Sequence, residues 1–316
     1  MEITIGTRGS KLALWQAEWV KRQIEQLQPE ITVHLKIIKT TGDKITDVPL
    51  SKIGGKGLFV KEIEESLLRG ESDIAVHSMK DVPTDFPEGL HLAAICERED
   101  PRDAFVARNK QGIGSFDAMP DGAALGTSSL RRSCQLLNLK PGLKIIQLRG
   151  NLDTRLRKLD EGLCDAIILA AAGMKRLGVD SRITEVLPID VSLPAIGQGA
   201  IGIECRTDIS HSKDKLINAI AGQLNHTETA VCVRAERAFL KRLEGGCQVP
   251  IAAHATLGGG IRIAGLVGSV DGARMIRGVI EGNAGDSERL GTALAEDLIG
   301  RGAGEILMEV YEKGKG

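Results

Sequence analysis

Apolar residues recur along this chain in two rhythms, and the switches between them mark out its elements. Residues 3–7 (Ile3-Thr4-Ile5-Gly6-Thr7) read as a strand, and Arg8 and Ser10 follow before a helix predicted over residues 12–27. A second strand is expected over 33–39, a helix over 59–69, and a nearly unbroken apolar strand over 73–77. That last run suits a strand buried on both faces, as in a parallel sheet, and it leads into Ser78-Met79-Lys80-Asp81-Val82-Pro83. The same strand-helix alternation restarts further on. A strand over 123–127 enters Ser128-Ser129-Leu130-Arg131-Arg132, where a serine is expected to cap a helix. A strand over 144–148 ends in Arg149-Gly150-Asn151, with Arg155 in the next helix. A strand over 165–170 is followed by Lys175-Arg176.

Two breaks interrupt this rhythm, the charged, proline-containing stretch 96–103 and the stretch 193–200. Each reads as a crossing of the chain between two α/β lobes. After about residue 225 the texture changes. A helix over 226–243 precedes three strand-like runs over 251–256, 261–268 and 275–281, parted by glycine turns, and a closing helix covers 287–300. The expected organisation is α/β: two hinged domains, 1–98 with 200–222 and 99–199, plus a small α+β domain over 223–316 with a three-stranded antiparallel sheet and helices.

Composition narrows the partners. At 316 residues and a net charge of −1, the chain does not have the charge of a dedicated nucleic-acid binder. Aromatics make up 3%, too few for a stacking platform. The six cysteines form no CxxC pair and no metal-ligand spacing with histidine, which suits a reduced, cytoplasmic setting and no metal. No apolar run is long enough to span a bilayer, the chain enters a strand pattern without a leader, and nothing demands more than a monomer.

The candidate chemistry lies at strand ends. In open α/β sheets ligands bind beyond the carboxyl ends of the strands, where Lys80 and Asp81 sit; Asp81 either serves such a site or stabilises the turn before Val82-Pro83. His77, inside the strand, reads as a core histidine. Arginines recur at three successive strand ends. Guanidinium forks match carboxylates or phosphates, so that edge should hold a ligand with several anionic groups. The glycine-rich stretch 51–57 reads as a mobile lid carrying Lys52 and Lys56, with Phe59 at its end. Cys247 follows a helix C-terminus and the pair Gly245-Gly246. That end of the helix dipole disfavours a thiolate, so the residue is either a packed free thiol or one alkylated once to serve as a tether.

Assembled in order, these motifs closely resemble the porphobilinogen deaminase (hydroxymethylbilane synthase) family of tetrapyrrole (heme and chlorophyll) biosynthesis, nearly end to end. The resemblance rests on Thr7-Arg8-Gly9-Ser10, His77 through Pro83, Gly126 through Arg132 and Leu148-Arg149-Gly150-Asn151 with Thr154-Arg155. It continues through Leu193 to Ala200 and Glu236-Arg237 to Gly245-Gly246-Cys247 and Pro250. Ala252-Ala253 and the polar connection 208–215 depart from the usual pattern, away from the chemistry. The resemblance implies two periplasmic-binding-protein-like lobes and a transferase. It implies a dipyrromethane cofactor held as a thioether at Cys247, onto which four porphobilinogen units are joined head to tail. Ammonia is released each time, and the tetrapyrrole is then hydrolysed off. It also implies a central carboxylate at Asp81, cofactor contacts from Lys80, Ser128, Ser129, Arg131, Arg132 and Gln198, and substrate contacts from Arg8, Ser10, Ser78, Arg149, Arg155 and Arg176. Phe59 would pack on a pyrrole face or in the core. Arg131 and Arg132, about 100° apart on a helix, would serve different carboxylates.

Another class fits the same lobes: a non-catalytic binder of a small polycarboxylate. A polynucleotide binder and a cysteine hydrolase fit worse, for want of net positive charge and of a histidine placed to activate Cys247.

Overall fold

A computed structural model describes residues 1–44, 60–108, 112–208, 210–245 and 249–314. The expected lid residues Lys52, Lys56 and Phe59, and the cysteine Cys247, lie outside the described residues.

Strand β1 (Glu2–Thr7) leads into helix α1 (Lys11–Leu27), which Ser10 caps through its hydroxyl. After β2 (Thr32–Ile37) and a single helical turn at Thr41–Lys44 come α2 (Lys61–Leu68) and β3 (Ile74–Ser78). A 3-10 turn, Met79–Asp81, ends β3, and β4 (Leu90–Ile95) and β5 (Asp103–Ala107) follow. Next are β6 (Ala124–Gly126), α3 (Leu130–Leu139), β7 (Lys144–Ile146), α4 (Leu152–Asp160), β8 (Ala166–Ala170), α5 (Ala171–Arg176) and β9 (Glu185–Val186). The chain continues through β10 (Ile201–Arg206), α6 (Ser212–Gln223) and α7 (Thr227–Arg242). It ends with β11 (Ile251–Leu257), β12 (Ile261–Gly268), β13 (Met275–Gly282), α8 (Ser287–Gly300) and α9 (Ala303–Gly314).

These elements form two five-stranded sheets, ordered β2-β1-β3-β10-β4 and β7-β6-β8-β5-β9, and a three-stranded antiparallel sheet, β11-β12-β13. The expected class, α/β with a small α+β portion, is what forms. Contacts group the chain into two compact units. The second holds residues 100–199 and 231–316; the first holds residues 200–230 and the described residues before 100.

In the first unit β1 runs parallel to both β2 and β3, while β10 runs antiparallel to β3. Its core is aliphatic: Ile3, Ile5, Val33, Ile74 and Val76 from the sheet meet Ala17, Val20 and Ile24 of α1 and Ile217 and Ile220 of α6. Ile63 and Leu67 of α2 pack with Ala75 and Leu90.

The second unit's sheet shows why its strands lack a polar face. On β5 and β8, Phe105, Ala166 and Ile168 enter one core, and Ala104, Val106, Ile167 and Leu169 enter another. Period two therefore distributes apolar residues to both sides, as a doubly covered sheet requires. Beside it, Phe239 of α7, Val267 of β12 and Leu294 and Leu298 of α8 make the core of the three-stranded portion.

The end of α7 differs from expectation in detail. The helix stops at Arg242, and among the described residues that follow it Glu244 has a positive φ (52°). Its carbonyl accepts a 2.9 Å hydrogen bond from the Tyr311 hydroxyl. Gly245 meets a different demand, close packing: an added Cβ would come 2.5 Å from Ile251 and 2.8 Å from Leu240. Helix α6 also begins inside what reads from sequence as a polar connection.

Candidate active site

In the first sheet β1 connects outward to β2 and the chain then returns to β3 on the other side of β1. Neighbouring loops part at such a switch point and leave a crevice at the strands' carboxyl ends. Arg8 follows β1 there, and Ser78 and the Met79–Asp81 turn follow β3. A pocket of about 70 Å³ opens at this edge, lined by Arg8, Ser10, Gln16, His77, Ser78 and Asp81 over an apolar wall that includes Val60, Ile63 and Val76. The turn bearing Asp81 is fixed from behind. Met79 N–H donates to Ala200 O at 3.0 Å, and Met79 is buried against Gly202 of β10, where any Cβ would press into its sulfur. Gln16 Nε2 donates to Ser78 Oγ at 2.8 Å. Asp81, Lys80, Ser78, Ser10 and Arg8 are all half-buried.

His77 is buried, as its place in the strand suggests, and its Nε2 lies 2.9 Å from Glu204 Oε2. Glu64 of α2 shares this interior. Burial pushes its carboxyl up to about 7, with Glu204 adding to the rise and His77 opposing it.

The second sheet repeats the arrangement: β6 runs parallel to β7 and β8, so their carboxyl ends share an edge. Arg149 follows β7, Arg155 lies in α4 and donates from Nε to Gly150 O at 2.8 Å, and Arg176 ends α5 and donates to Gly199 O at 2.6 Å. These three side chains are half-buried at the edge where sequence reasoning puts them.

Arg131 and Arg132 require a correction. Each is 5% exposed, and instead of diverging to separate ligand carboxylates both converge on one carboxylate of the protein, Asp103. Arg131 reaches both oxygens, at 2.7 and 3.2 Å, and Arg132 reaches Oδ1 through Nε at 3.0 Å and Nη2 at 2.7 Å. Ser192 Oγ and Gln198 Nε2 add bonds of 2.7 and 2.9 Å to the same carboxylate, so Gln198 belongs to this hub. Burial works against charge on Asp103, but the two guanidinium groups outweigh it and hold its carboxyl well below the usual carboxylate range. The reason for the arrangement is local. Two cations in the first turn of a helix face the positive end of its dipole, and only a buried anion offsets both. Two charges against one still leave a positive centre beneath the α3 N-terminus.

The serines above it are open. Ser129 occupies the N-cap of α3 without a side-chain cap bond, contrary to expectation, and the buried Ser128 Oγ makes no hydrogen bond among the described residues. A buried hydroxyl without a partner next to surplus positive charge fits an anionic group such as a carboxylate of dipyrromethane.

Sequence reasoning missed Asp103 and Glu204. Asp103 lies in a stretch that reads as a charged break. Glu204 sits mid-strand in Ile203-Glu204-Cys205, where a lone carboxylate among apolar residues was the available signal.

The remaining cysteines differ from a tether. Cys96, Cys134, Cys164, Cys205 and Cys232 are all buried. Burial pushes the thiols of Cys134 and Cys205 up to about 12 and that of Cys164 to about 11. Among the described residues no group of three or more metal-ligating side chains occurs, and no helix is long and apolar enough to cross a membrane.

Comparison with known proteins bears on the family of the chain. A family model described as "Porphobilinogen deaminase, dipyromethane cofactor binding domain" matches residues 3–214, and one described as "Porphobilinogen deaminase, C-terminal domain" matches residues 230–300. The porphobilinogen deaminase of Geobacter sulfurreducens is 57% identical over 312 residues, covering 98% of this chain and 95% of the relative. That of Pelobacter propionicus is 55% identical over 313 residues, covering 99% and 98%. Among solved structures, the methionine binding protein MetQ aligns at a TM-score of 0.44 and 15% identity, over 71% of this chain and 89% of that one. With two family models spanning most of its length and relatives identical at more than half of their positions, the chain belongs to the porphobilinogen deaminase family.

Proposed function

We propose that this chain is a cytoplasmic, monomeric transferase that joins four porphobilinogen molecules head to tail, releases ammonia at each step, and liberates hydroxymethylbilane by hydrolysis. The observation that carries this reading is that a chain of this family has a carboxylate pocket at the edge of one sheet and, on its other five-stranded sheet, a cationic, hydroxyl-bearing edge. Dipyrromethane, when bound, supplies the pyrrole carbon to which the first substrate unit is joined.

The chain's own residues divide the work. Asp81 accepts hydrogen bonds from pyrrole N–H groups and stabilises the positive charge that develops on porphobilinogen as its ammonia leaves. It also helps move the proton from the pyrrole carbon that forms the new bond. Arg8 and Ser10, with Ser78 and Lys80, orient the acetate and propionate groups at the first edge. Arg149, Arg155 and Arg176 hold carboxylates of the lengthening chain at the second. Ser128 and Ser129 bind cofactor carboxylates, and Arg131, Arg132 and Gln198 support them by fixing a net positive charge behind the α3 N-terminus.

Cys247 is the thioether residue in this reading. The other five cysteines are buried, and the three with strongly raised thiols would form little thiolate near neutral pH. Intact mass tests the assignment. The native protein should exceed its sequence mass by two linked pyrrole units, and Cys247→Ser should carry no addition and make no hydroxymethylbilane. Normal turnover by the serine variant would exclude the assignment.

A further inference from the structure

Beside the Asp81 pocket, three ionisable side chains are buried on three elements that pack together, Glu64 on α2, His77 on β3 and Glu204 on β10. His77 and Glu204 are paired at 2.9 Å with side chains 4% and 1% exposed. Glu204 Oε1 is buried without a hydrogen-bond partner among the described residues, and Glu64 is buried and electrostatically coupled to both. The cluster adjoins the reaction site directly: His77 lines the same pocket as Arg8 and Asp81, and so does Ile63, the neighbour of Glu64 on α2.

Other charged or titratable groups are carried by the elements packed against α2. On β4, His91 is bonded to Asn218 at 2.6 Å. On β10, Arg206 is bonded to Asp214 at 2.6 Å and to Leu67 O and Ser72 O. Beside β3 lies Asp73, bound by Lys213, and at the two ends of β1 lie Glu2 and Arg8. Burial is the main cause of the raised Glu64 carboxyl, and among charged groups Glu204 adds to the rise while His77 opposes it. Loss of its proton adds a negative charge to the buried interior next to the pocket, where the low local dielectric strengthens its effect.

We propose that Glu64, His77 and Glu204 are positioning residues that set the charge beside the Asp81 pocket and so tune the condensation, a role that rests on the function proposed above. An added negative charge there favours the cation that develops as ammonia leaves, and it disfavours a substrate bearing acetate and propionate groups. Both kcat and KM therefore rise as Glu64 ionises, each by a factor on the order of three to ten.

The test is the pH dependence of kcat and KM between pH 6 and 9 for wild type, Glu64→Gln and Glu64→Asp, each first checked by intact mass for the bound cofactor. The wild type should show a rise in both constants through about pH 7. Glu64→Gln should lose that rise in both, and Glu64→Asp should restore it. A Gln profile that superimposes on the wild type overturns the proposal, as does a uniform loss of rate that keeps the inflection. If Glu64→Gln does not fold, titration of wild-type protein labelled with ¹³C in its glutamate carboxyls decides. A resonance inflecting near pH 7 supports the cluster, and titration of every carboxyl below pH 6 overturns it. Wild type that carries no added mass or makes no hydroxymethylbilane sinks the functional reading as well, and the wild-type arm alone reports that failure.

Discussion

The two five-stranded sheets are built to one plan, yet their working edges differ: the first sets a carboxylate among Arg8, Lys80 and hydroxyls, whereas the second carries arginines. In each, a first strand is flanked by two parallel partners and a further antiparallel strand, so the same switch point forms twice. At the first edge the turn after β3 presents a carboxylate, Asp81, beside Ser10, Gln16 and Ser78. At the second the loops present Arg149, Arg155 and Arg176 and the unpartnered hydroxyl of Ser128. The backbone plan decides where a ligand can sit; the side chains decide whether that place steadies a developing cation or holds standing anions. The interiors differ too. Behind the second edge two arginines are fixed by Asp103 in a charged state, whereas beside the first Glu64 titrates near neutrality.

The largest expected effect separates these interiors. Asp103→Asn leaves two buried guanidinium groups facing a neutral amide and should lower stability by about 3–5 kcal/mol in urea unfolding. A loss under about 1 kcal/mol would mean that the arginines find other partners and that the second edge is not held by this hub. Next comes Gly202→Ala, which crowds Met79 and displaces the turn carrying Asp81. Overpacking should cost about 1–3 kcal/mol, and misplacement of the carboxylate should lower kcat by roughly tenfold or more with little change in KM. An unchanged kcat would show that the turn is not positioned from β10.

The smallest effect tests the titrating interior. A carboxyl raised from 4.5 to about 7 binds its proton more tightly in the folded state, so its stabilising contribution is present at low pH and is lost as pH rises through about 7. Glu64→Gln cannot ionise and keeps that contribution. Its Tm should exceed the wild-type value above pH 7, with the gap closing toward pH 5; a gap of constant size across that range would point to packing instead.

Much of this was readable from local pattern, and the failures share a cause. The Asp81 turn followed from an apolar strand stopped by Val82-Pro83, and the three final strands from glycine turns between alternating runs. Arg149, Arg155 and Arg176 followed from strand ends. Arg131 and Arg132 did not, because their partner Asp103 is 28 and 29 residues away and lies in a stretch that reads as a break. Adjacent residues leave a helix in different directions, but long flexible stems let both heads return to one anion. Glu204 is 127 residues from His77, a pairing set by β10 lying beside β3, and no local periodicity announces that adjacency.

The central claim is that the Asp81 carboxylate drives each condensation from the first edge. Its most direct test is mass spectrometry of cofactor-loaded Asp81→Asn after brief exposure to porphobilinogen. The account predicts a folded protein that keeps the mass of its cofactor and shows successive pyrrole additions at least about a hundredfold more slowly than wild type. A ladder of additions forming at the wild-type pace would contradict it.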